Sequence, residues 1–210
     1  MEKFDKLIAI EVDVQNDFCP GGALAVNEGD QVVAPLNELA DYTRSNHGLV
    51  VASLDWHPAG SKHFDTWPVH CVENTLGAQP RSDLDIKTGD IIVKKGFGDS
   101  DGYSAFEGLA ANGRNLEELL YPTRGERLAL LIGGLATDYC VKNTVLDALK
   151  FAEKVREAQA GKIAVFAIAD AMRAVNLKRN DGKNAVKEME AAGVRFVNLS
   201  DVLKGRVAQI

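Results

Sequence analysis

Short apolar runs alternate along this chain with longer segments of helical period, and this alternation restricts the fold more than any other feature. The strand-length runs, rich in Val, Ile, Leu and Ala, cover residues 7–12, 49–54, 91–93, 128–132, 163–168 and 194–197. The helical segments cover residues 30–45, 138–152 and 181–192, and each begins at an aspartate that could cap a helix. The pattern therefore predicts an α/β fold with a mostly parallel, six-stranded sheet and helices on both faces.

Length and charge restrict the kind of partner that the chain can have. The 210 residues suffice for one domain with a substantial core, so we expect a single domain over residues 1–210. A formal net charge of −6 without any Lys/Arg-rich run argues against nucleic acid and membrane surfaces as partners. No apolar run approaches the roughly 20 residues that span a bilayer. We therefore expect a small-molecule partner.

The cysteines indicate the compartment. Cys19, Cys71 and Cys140 are an odd number in unlike contexts, which argues against a disulfide framework. The first residues also lack the features of a signal peptide. Both observations predict a protein of the reducing cytoplasm.

Polar side chains follow four of the predicted strands. Asp13, Asp55 and Lys95 come after the first three, and Cys140 lies in the opening turn of the helix that follows the fourth. Because the carboxyl ends of parallel strands meet at one edge of a sheet, we expect these residues to converge there.

Cys140 is the candidate nucleophile. The positive end of a helix dipole stabilises a thiolate, and the backbone amides of Ala136 and Cys140 could bind a carbonyl oxygen that becomes negative during attack. Residue type alone favours a cysteine packed as a small hydrophobe. Its position in a first helical turn at a strand end favours the nucleophile.

Asp13 and Lys95 are the candidate partners of this cysteine. Burial beside the nucleophile would raise the pKa of Asp13 and suit it to act as acid and base. Lys95 could hold Asp13 and the thiolate in their charged forms, whereas Lys94 would point to the opposite face of its strand. The alternatives are a turn or capping aspartate and a solvated strand end.

A candidate metal site lies in the long irregular segment 56–89 and at the strand end before it. Three of the four histidines of the chain fall in this window, close after a strand-end carboxylate. One carboxylate and three imidazoles suit a divalent cation, with zinc favoured and iron or manganese as alternatives. The predicted ligands are Asp55, His57, His63 and His70. The fourth histidine, His47, is interpreted as a helix-end residue.

Three aromatic residues could wall a small-molecule site. Phe18 and Trp67 flank the polar groups in sequence, and Tyr103 follows the Lys95 strand closely enough to line the same cleft. Core packing is the alternative explanation for each of them.

Together these segments resemble the nicotinamidases of the isochorismatase-like hydrolase superfamily, and the resemblance spans most of the chain. The matching segments are DVQNDFCPGGAL from Asp13, DWHP from Asp55, WPVHCV from Trp67, KG from Lys95, YSAF from Tyr103 and GLATDYCV from Gly134. The cysteine, aspartate and lysine pattern is shared with amidases that act on other substrates. The set of metal ligands separates nicotinamidases from those relatives.

The resemblance implies a Rossmann-like three-layer sandwich and a catalytic triad of Asp13, Lys95 and Cys140. It also implies a metal that orients the pyridine nitrogen of nicotinamide, hydrolysis to nicotinic acid and ammonia in NAD salvage, and pyrazinamide as a second substrate. Leu135 is expected at the substrate, with a cis peptide bond between Leu135 and Ala136. Members of this fold often form homo-oligomers, so self-association is expected as well.

One residue departs from the family pattern. Glu11 stands in the first strand where relatives usually have an apolar residue. It indicates a polar neighbour or a strand that lies near an opening.

Two other functions remain open at this point. The chain could keep the fold and the triad but act on another amide or carbamoyl compound, with the histidines only holding the long loop. It could also be a noncatalytic binding protein with a structural metal and an inert cysteine.

Overall fold

The computed structural model describes residues 3–98 and 100–207, and within them one seven-stranded sheet forms the centre of the fold. The strands are β1 (Lys6–Val12), β2 (Leu49–Asp55), β3 (Ile91–Lys95), β4 (Leu109–Ala110), β5 (Glu126–Leu135), β6 (Gly161–Arg173) and β7 (Arg195–Val197). Their order is β4-β3-β2-β1-β5-β6-β7, and every neighbouring pair is parallel except β3 with β4. The predicted α/β class is confirmed. The predicted number of six strands is wrong by one, because the sheet also contains the edge strand β4. This strand has only two residues, which is too short to produce a periodic pattern in the sequence.

Helices cover both faces of the sheet. They are α1 (Val33–Ser45), α2 (Leu116–Leu120), α3 (Lys142–Glu157), α4 (Asp181–Ala191) and α5 (Leu199–Leu203). Among the described residues no helix has the length and apolar character needed to cross a membrane. The predicted helical segments correspond to α1, α3 and α4.

The predicted aspartate caps are wrong. Asp30 lies inside a 3₁₀ turn, Gly29–Val32, which precedes α1. The carboxylate of Asp138 accepts hydrogen bonds from the loop after β6, and that of Asp181 accepts from the amide of Lys178, outside α4. Asp138 and Asp181 therefore fix neighbouring loops instead of satisfying the first amides of their helices.

Alternate residues of the strands divide the core into two layers. Leu7 and Ala9 of β1 belong to the layer that holds the buried face of α1, whereas Ile8 and Ile10 belong to the layer that holds the buried face of α3. This division follows from the two-residue period of a strand. A strand covered on both faces is apolar throughout, which explains the unbroken apolar runs in the sequence.

Glu11 is the exception in β1. Its side chain is completely buried next to Ala52 and Gly133 in the adjacent strands, two small residues that leave space above the sheet. Neither carboxyl oxygen has a hydrogen-bond partner among the described residues. Burial raises the pKa of Glu11 to about 8, although the charge of Arg44 opposes this, so the carboxyl is protonated at neutral pH. The expected opening near β1 is therefore wrong.

Candidate active site

Four neighbouring strands end at the place where the candidate catalytic residues meet. In the sheet order β3, β2, β1 and β5 are adjacent, and Asp55 of β2 lies beside Lys95 of β3 in register. Asp13 follows β1 directly, and Cys140 lies five residues beyond the last residue of β5. The predicted convergence at the carboxyl edge of the sheet is found.

Lys95 is the centre of this cluster. Its ammonium nitrogen lies 2.7 Å from Oδ2 of Asp13 and 3.6 Å from Sγ of Cys140, and it also contacts Oδ1 of Asp55. A further hydrogen bond of 2.6 Å runs to the carbonyl of Gly102. Lys95 is completely buried, so its charge requires these partners.

Lys94 has a different environment. Its ammonium lies over the ring of Trp56, 3.4 Å from the ring centroid, because successive side chains of a strand point to opposite faces. Of the two adjacent lysines, only Lys95 reaches the cluster.

The two carboxyl groups that contact Lys95 differ in acidity. Burial raises the pKa of Asp13 to about 6, although the ammonium of Lys95 opposes the shift. Burial would also raise the pKa of Asp55, but the charge of Lys95 and the neighbouring imidazole of His57 lower it to about 2. Asp55 is therefore ionised throughout the neutral range, and Asp13 is a base whose pKa lies close to neutral.

Cys140 lies in a π-helical turn, Thr137–Val141, that joins β5 to α3. Burial raises the pKa of its thiol well above the usual value; the charge of Lys95 opposes this shift, whereas the neighbouring carboxylates Asp13 and Asp55 add to it. The expectation of a thiolate stabilised by the helix is therefore wrong for the resting site. A thiol in this environment needs a base to remove its proton. Asp13 is close enough for this role, because one of its carboxylate oxygens lies within 4.8 Å of Sγ of Cys140.

The turn before Cys140 has the predicted backbone conformation. The peptide bond between Leu135 and Ala136 is cis. Ala136 and Cys140 both line a small pocket at the sheet edge, whereas Leu135 is buried in the core and does not line that pocket. The arrangement supports Ala136 and Cys140 as the residues whose amides face a bound carbonyl.

Three histidines meet beside the cluster, and their outer ring nitrogens are all held. Nδ1 of His57 lies 3.1 Å from the carbonyl of Gly96, Nδ1 of His63 lies 2.8 Å from Asp101, and Nδ1 of His70 lies 2.7 Å from the carbonyl of Pro68. These oxygens only accept hydrogen bonds, so the tautomer with the proton on Nδ1 satisfies all three contacts and leaves each Nε2 available as a metal ligand. Gly96 has a φ of +79°, and a Cβ there would overlap the ring of His57.

The remaining atoms of this group fit a metal ion. Ligand atoms of the three histidines lie within 4.8 Å of one another, and Oδ2 of Asp55 lies 3.7 Å from Nε2 of His57 and 3.9 Å from Nε2 of His70. Nε2 of His57 is buried without a hydrogen-bond partner among the described residues. A buried imidazole lone pair beside an ionised carboxylate is satisfied by a divalent cation.

Aromatic side chains form the walls of the pocket. Phe18, Trp67 and Tyr103 line it together with His63 and Cys140, as the sequence predicts. Nε1 of Trp67 donates a hydrogen bond of 2.9 Å to the hydroxyl of Tyr103, which fixes both rings. The pocket is therefore a flat-walled apolar site with the polar groups at one end.

Sequence reasoning missed three further residues of the pocket wall: Leu24, Tyr139 and Val175. The ring of Tyr139 packs edge-on against Trp67, with centroids 4.9 Å apart. Its position next to Cys140 was the available signal for Tyr139. Leu24 ends the matching segment that begins at Asp13, which was the available signal for it, whereas Val175 lies in a loop and belongs to no such segment.

Two buried polar residues behind the pocket were also missed. Gln15 donates to the carbonyl of Asp55 and accepts from its amide, at 2.8 and 2.9 Å. Asp138 accepts from the amides of Val175 and Asn176 at 2.9 and 2.8 Å. These contacts hold the backbone of a candidate metal ligand and one wall of the pocket.

The fold and the site define the class of protein: a cysteine hydrolase with a three-layer α/β fold, in which a buried cysteine, aspartate and lysine meet beside a histidine cluster. Residues 7–201 match the Isochorismatase domain, and the chain belongs to this family. It is 40% identical to a nicotinamidase of Escherichia coli strain K12, over 90% of this chain and 93% of that protein. A nicotinamidase of Acinetobacter baylyi is 33% identical over 97% of both chains.

Two solved structures are similar throughout. The pyrazinamidase of Pyrococcus horikoshii in complex with zinc has a TM-score of 0.76 and 34% identity, covering 92% of this chain and 99% of that chain. The L. infantum protein PnC1 in complex with nicotinate has a TM-score of 0.76 and 27% identity, covering 99% of each chain.

Proposed function

We propose that this chain is a nicotinamidase, a cysteine amidohydrolase that converts nicotinamide to nicotinic acid and ammonia. The observation that carries the proposal is the meeting of Asp13, Lys95 and Cys140 next to three histidines in one aromatic pocket. The relatives named nicotinamidase, matched over nearly the whole chain, support this substrate over other small amides. Pyrazinamide, which has the same carboxamide on a similar ring, is the expected second substrate.

We assign the metal site to Asp55, His57, His63 and His70, with zinc as the favoured ion and iron or manganese as alternatives. When bound, the metal would supply a Lewis-acid centre that receives the pyridine nitrogen, directly or through water. The ionised carboxylate of Asp55 and the free Nε2 atoms of the histidines are the groups that such an ion requires.

The protein residues then act on the carboxamide. Asp13 takes the proton from Sγ of Cys140, and the sulfur attacks the carbonyl carbon to form a tetrahedral intermediate. The amides of Ala136 and Cys140 donate to the oxygen that becomes negative. Asp13 returns the proton to the carboxamide nitrogen, and the C–N bond breaks. Ammonia departs, and the acyl group remains on Cys140 as a thioester.

Water completes the reaction. Asp13 takes a proton from water, and the hydroxide attacks the thioester carbon. The C–S bond then breaks to release nicotinic acid, and Asp13 returns its proton to Sγ of Cys140, which restores the thiol. Lys95 stays charged throughout. Although burial alone would lower its pKa, Asp13 and Asp55 hold that pKa well above the usual value.

The walls determine which ring fits. Phe18 and Trp67 are assigned to the two faces of the pyridine, and Tyr103 holds Trp67 in place through its hydroxyl.

We place this activity in a single domain over residues 1–210, in the reducing cytoplasm where all three cysteines remain free thiols. Self-association into a homo-oligomer is part of the proposal by family resemblance alone.

Ammonia release from nicotinamide, pyrazinamide and benzamide tests the proposal. Benzamide has the carboxamide but lacks the ring nitrogen, so we expect it to be a much poorer substrate at equal concentration. Removal of the metal with a chelator should abolish turnover of nicotinamide, and zinc should restore it. Equal turnover of benzamide and nicotinamide, or activity unaffected by complete metal removal, would contradict the assignment.

A further inference from the structure

A second cleft lies between α4 and the ends of β6 and β7. The volume of this open cleft is about 680 Å³, within the usual range of small-molecule sites. Thr137 lines this cleft, whereas the preceding residue, Ala136, lines the catalytic pocket. The two cavities therefore meet the same turn from β5 into α3 but share no lining residue.

The cleft is strongly basic although the protein as a whole is acidic. Its charged lining residues are Arg173, Arg179, Lys183, Lys187 and Glu190. Lys183 and Lys187 are four residues apart on α4, so they project from the same face of the helix. Within the described part of the chain, no carboxylate lies within ion-pair distance of Arg179, Lys183 or Lys187. The three cations are exposed and are therefore available to an anionic ligand.

A comparable groove beside α3 shows what paired surface cations look like in this protein. Lys150 lies 2.8 Å from Asp147, and Lys154 lies 2.6 Å from Glu117. Basic residues of that groove are thus neutralised within the protein itself. Arg179, Lys183 and Lys187 of the α4 cleft differ from the paired cations of that groove.

The rest of the cleft offers both an apolar wall and a buried donor. Met172, Val186 and Phe196 contribute apolar side chains to the lining. Thr137 is only 5% exposed, and it lines the cleft with a hydroxyl that can donate a hydrogen bond to a ligand.

We propose that this cleft binds a nucleotide, with the planar base against Phe196 and Met172 and the phosphates on Lys183, Lys187 and Arg179. The base is the part that requires an apolar wall, and the phosphates are the part that requires several unpaired cations. The hydroxyl of Thr137 hydrogen-bonds to the ligand. The site is separate from the catalytic pocket and goes beyond the proposed hydrolysis of nicotinamide.

Isothermal titration of the full chain with ADP, pyrophosphate and adenosine tests the proposal. ADP should bind more tightly than either fragment, and its Kd should rise with salt concentration because the phosphate contacts are exposed. The double variant Lys183→Glu, Lys187→Glu should raise the Kd for ADP by at least about tenfold. The control Lys150→Glu, Lys154→Glu makes the same change in net charge and should alter this Kd by less than about threefold.

A second variant tests the buried donor. Thr137→Val keeps the shape of the side chain but removes the hydroxyl, and it should raise the Kd for ADP about threefold or more. No heat of binding for ADP at millimolar concentration would overturn the proposal. Binding of pyrophosphate as tight as that of ADP, or equal losses in the two double variants, would overturn it as well. None of these measurements depends on amide hydrolysis.

Discussion

The ammonium of Lys95 lies 2.7 Å from the carboxylate of Asp13, and neither side chain is accessible to solvent. The same ammonium contacts Asp55, so one buried cation compensates two buried carboxyl groups. The pair joins the candidate base to the candidate metal site. Each partner therefore depends on the other for both charge and position.

Replacement of this ammonium should damage stability and activity together. We expect Lys95→Met to lower the free energy of unfolding by roughly 3 to 5 kcal/mol, because it leaves buried carboxylates without a counter-charge. The adjacent control Lys94→Met removes only a cation from the face of Trp56 and should cost about 1 kcal/mol or less. Urea unfolding of both variants checks this, and equal losses would contradict the assigned role of Lys95.

Loss of the nucleophile should affect chemistry and leave folding intact. Cys140→Ala should lower kcat/KM for nicotinamide by at least about a thousandfold, because no other group can form the thioester. Cys19 is equally a buried free thiol but lies outside the pocket, so Cys19→Ala should retain activity within about tenfold. Ammonia release at a near wild-type rate from the Cys140 variant would exclude it as the nucleophile.

The contact of His63 with Asp101 should determine metal affinity. Asp101 accepts from Nδ1 of His63 and so orients the opposite nitrogen, although its own side chain is 59% exposed. We expect Asp101→Asn to weaken zinc binding about tenfold or more, measured by competition with a chromophoric chelator. Asp65→Asn, an exposed change in the same turn as His63, is the control. Unchanged zinc affinity of the Asp101 variant would refute this role.

The buried carboxyl of Glu11 should make stability depend on pH. Its pKa rises from 4.5 when exposed to about 8 in the folded protein, so the folded state binds the proton more tightly. The tighter binding of this proton stabilises the folded state fully below pH 4.5, and this stabilisation is lost as the pH rises toward 8. Glu11→Gln cannot ionise, so its advantage over the unaltered protein should grow across this range to roughly 1 to 3 kcal/mol.

Unfolding free energies at several pH values provide the measurement for Glu11. The exposed Glu38 on α1, changed to Gln, serves as the control and should give a curve parallel to that of the unaltered protein. If the plot of unfolding free energy against pH for Glu11→Gln ran parallel to that of the unaltered protein, the pKa of Glu11 would not be raised by folding, and the prediction would be wrong.

The strands and the residues at their ends could be predicted from sequence because both signals are local. An unbroken apolar run requires burial on both faces, and a polar residue directly after such a run lies at the sheet edge by topology. Asp13, Asp55, Lys95 and Cys140 were found in this way.

Contacts between distant loops could not be predicted in this way. Asp101 and His63 are 38 residues apart, and Asp138 bonds to a loop 37 residues away. The conformations of those loops depend on packing that no periodic pattern encodes. The high pKa of Cys140 was missed for a related reason, because it depends on how deeply the completed fold buries the thiol.

The residues that follow β3 position both the catalytic cluster and the metal site. The carbonyl of Gly102 accepts a hydrogen bond from Lys95, and the carbonyl of Gly96 accepts one from His57. For protein engineering, this makes the turn after β3 a poor place for insertions or grafted sequences, because any shift there would move the ammonium and an imidazole at once. Libraries that aim at a new ring specificity should instead vary Leu24 and Val175, apolar wall residues on other loops.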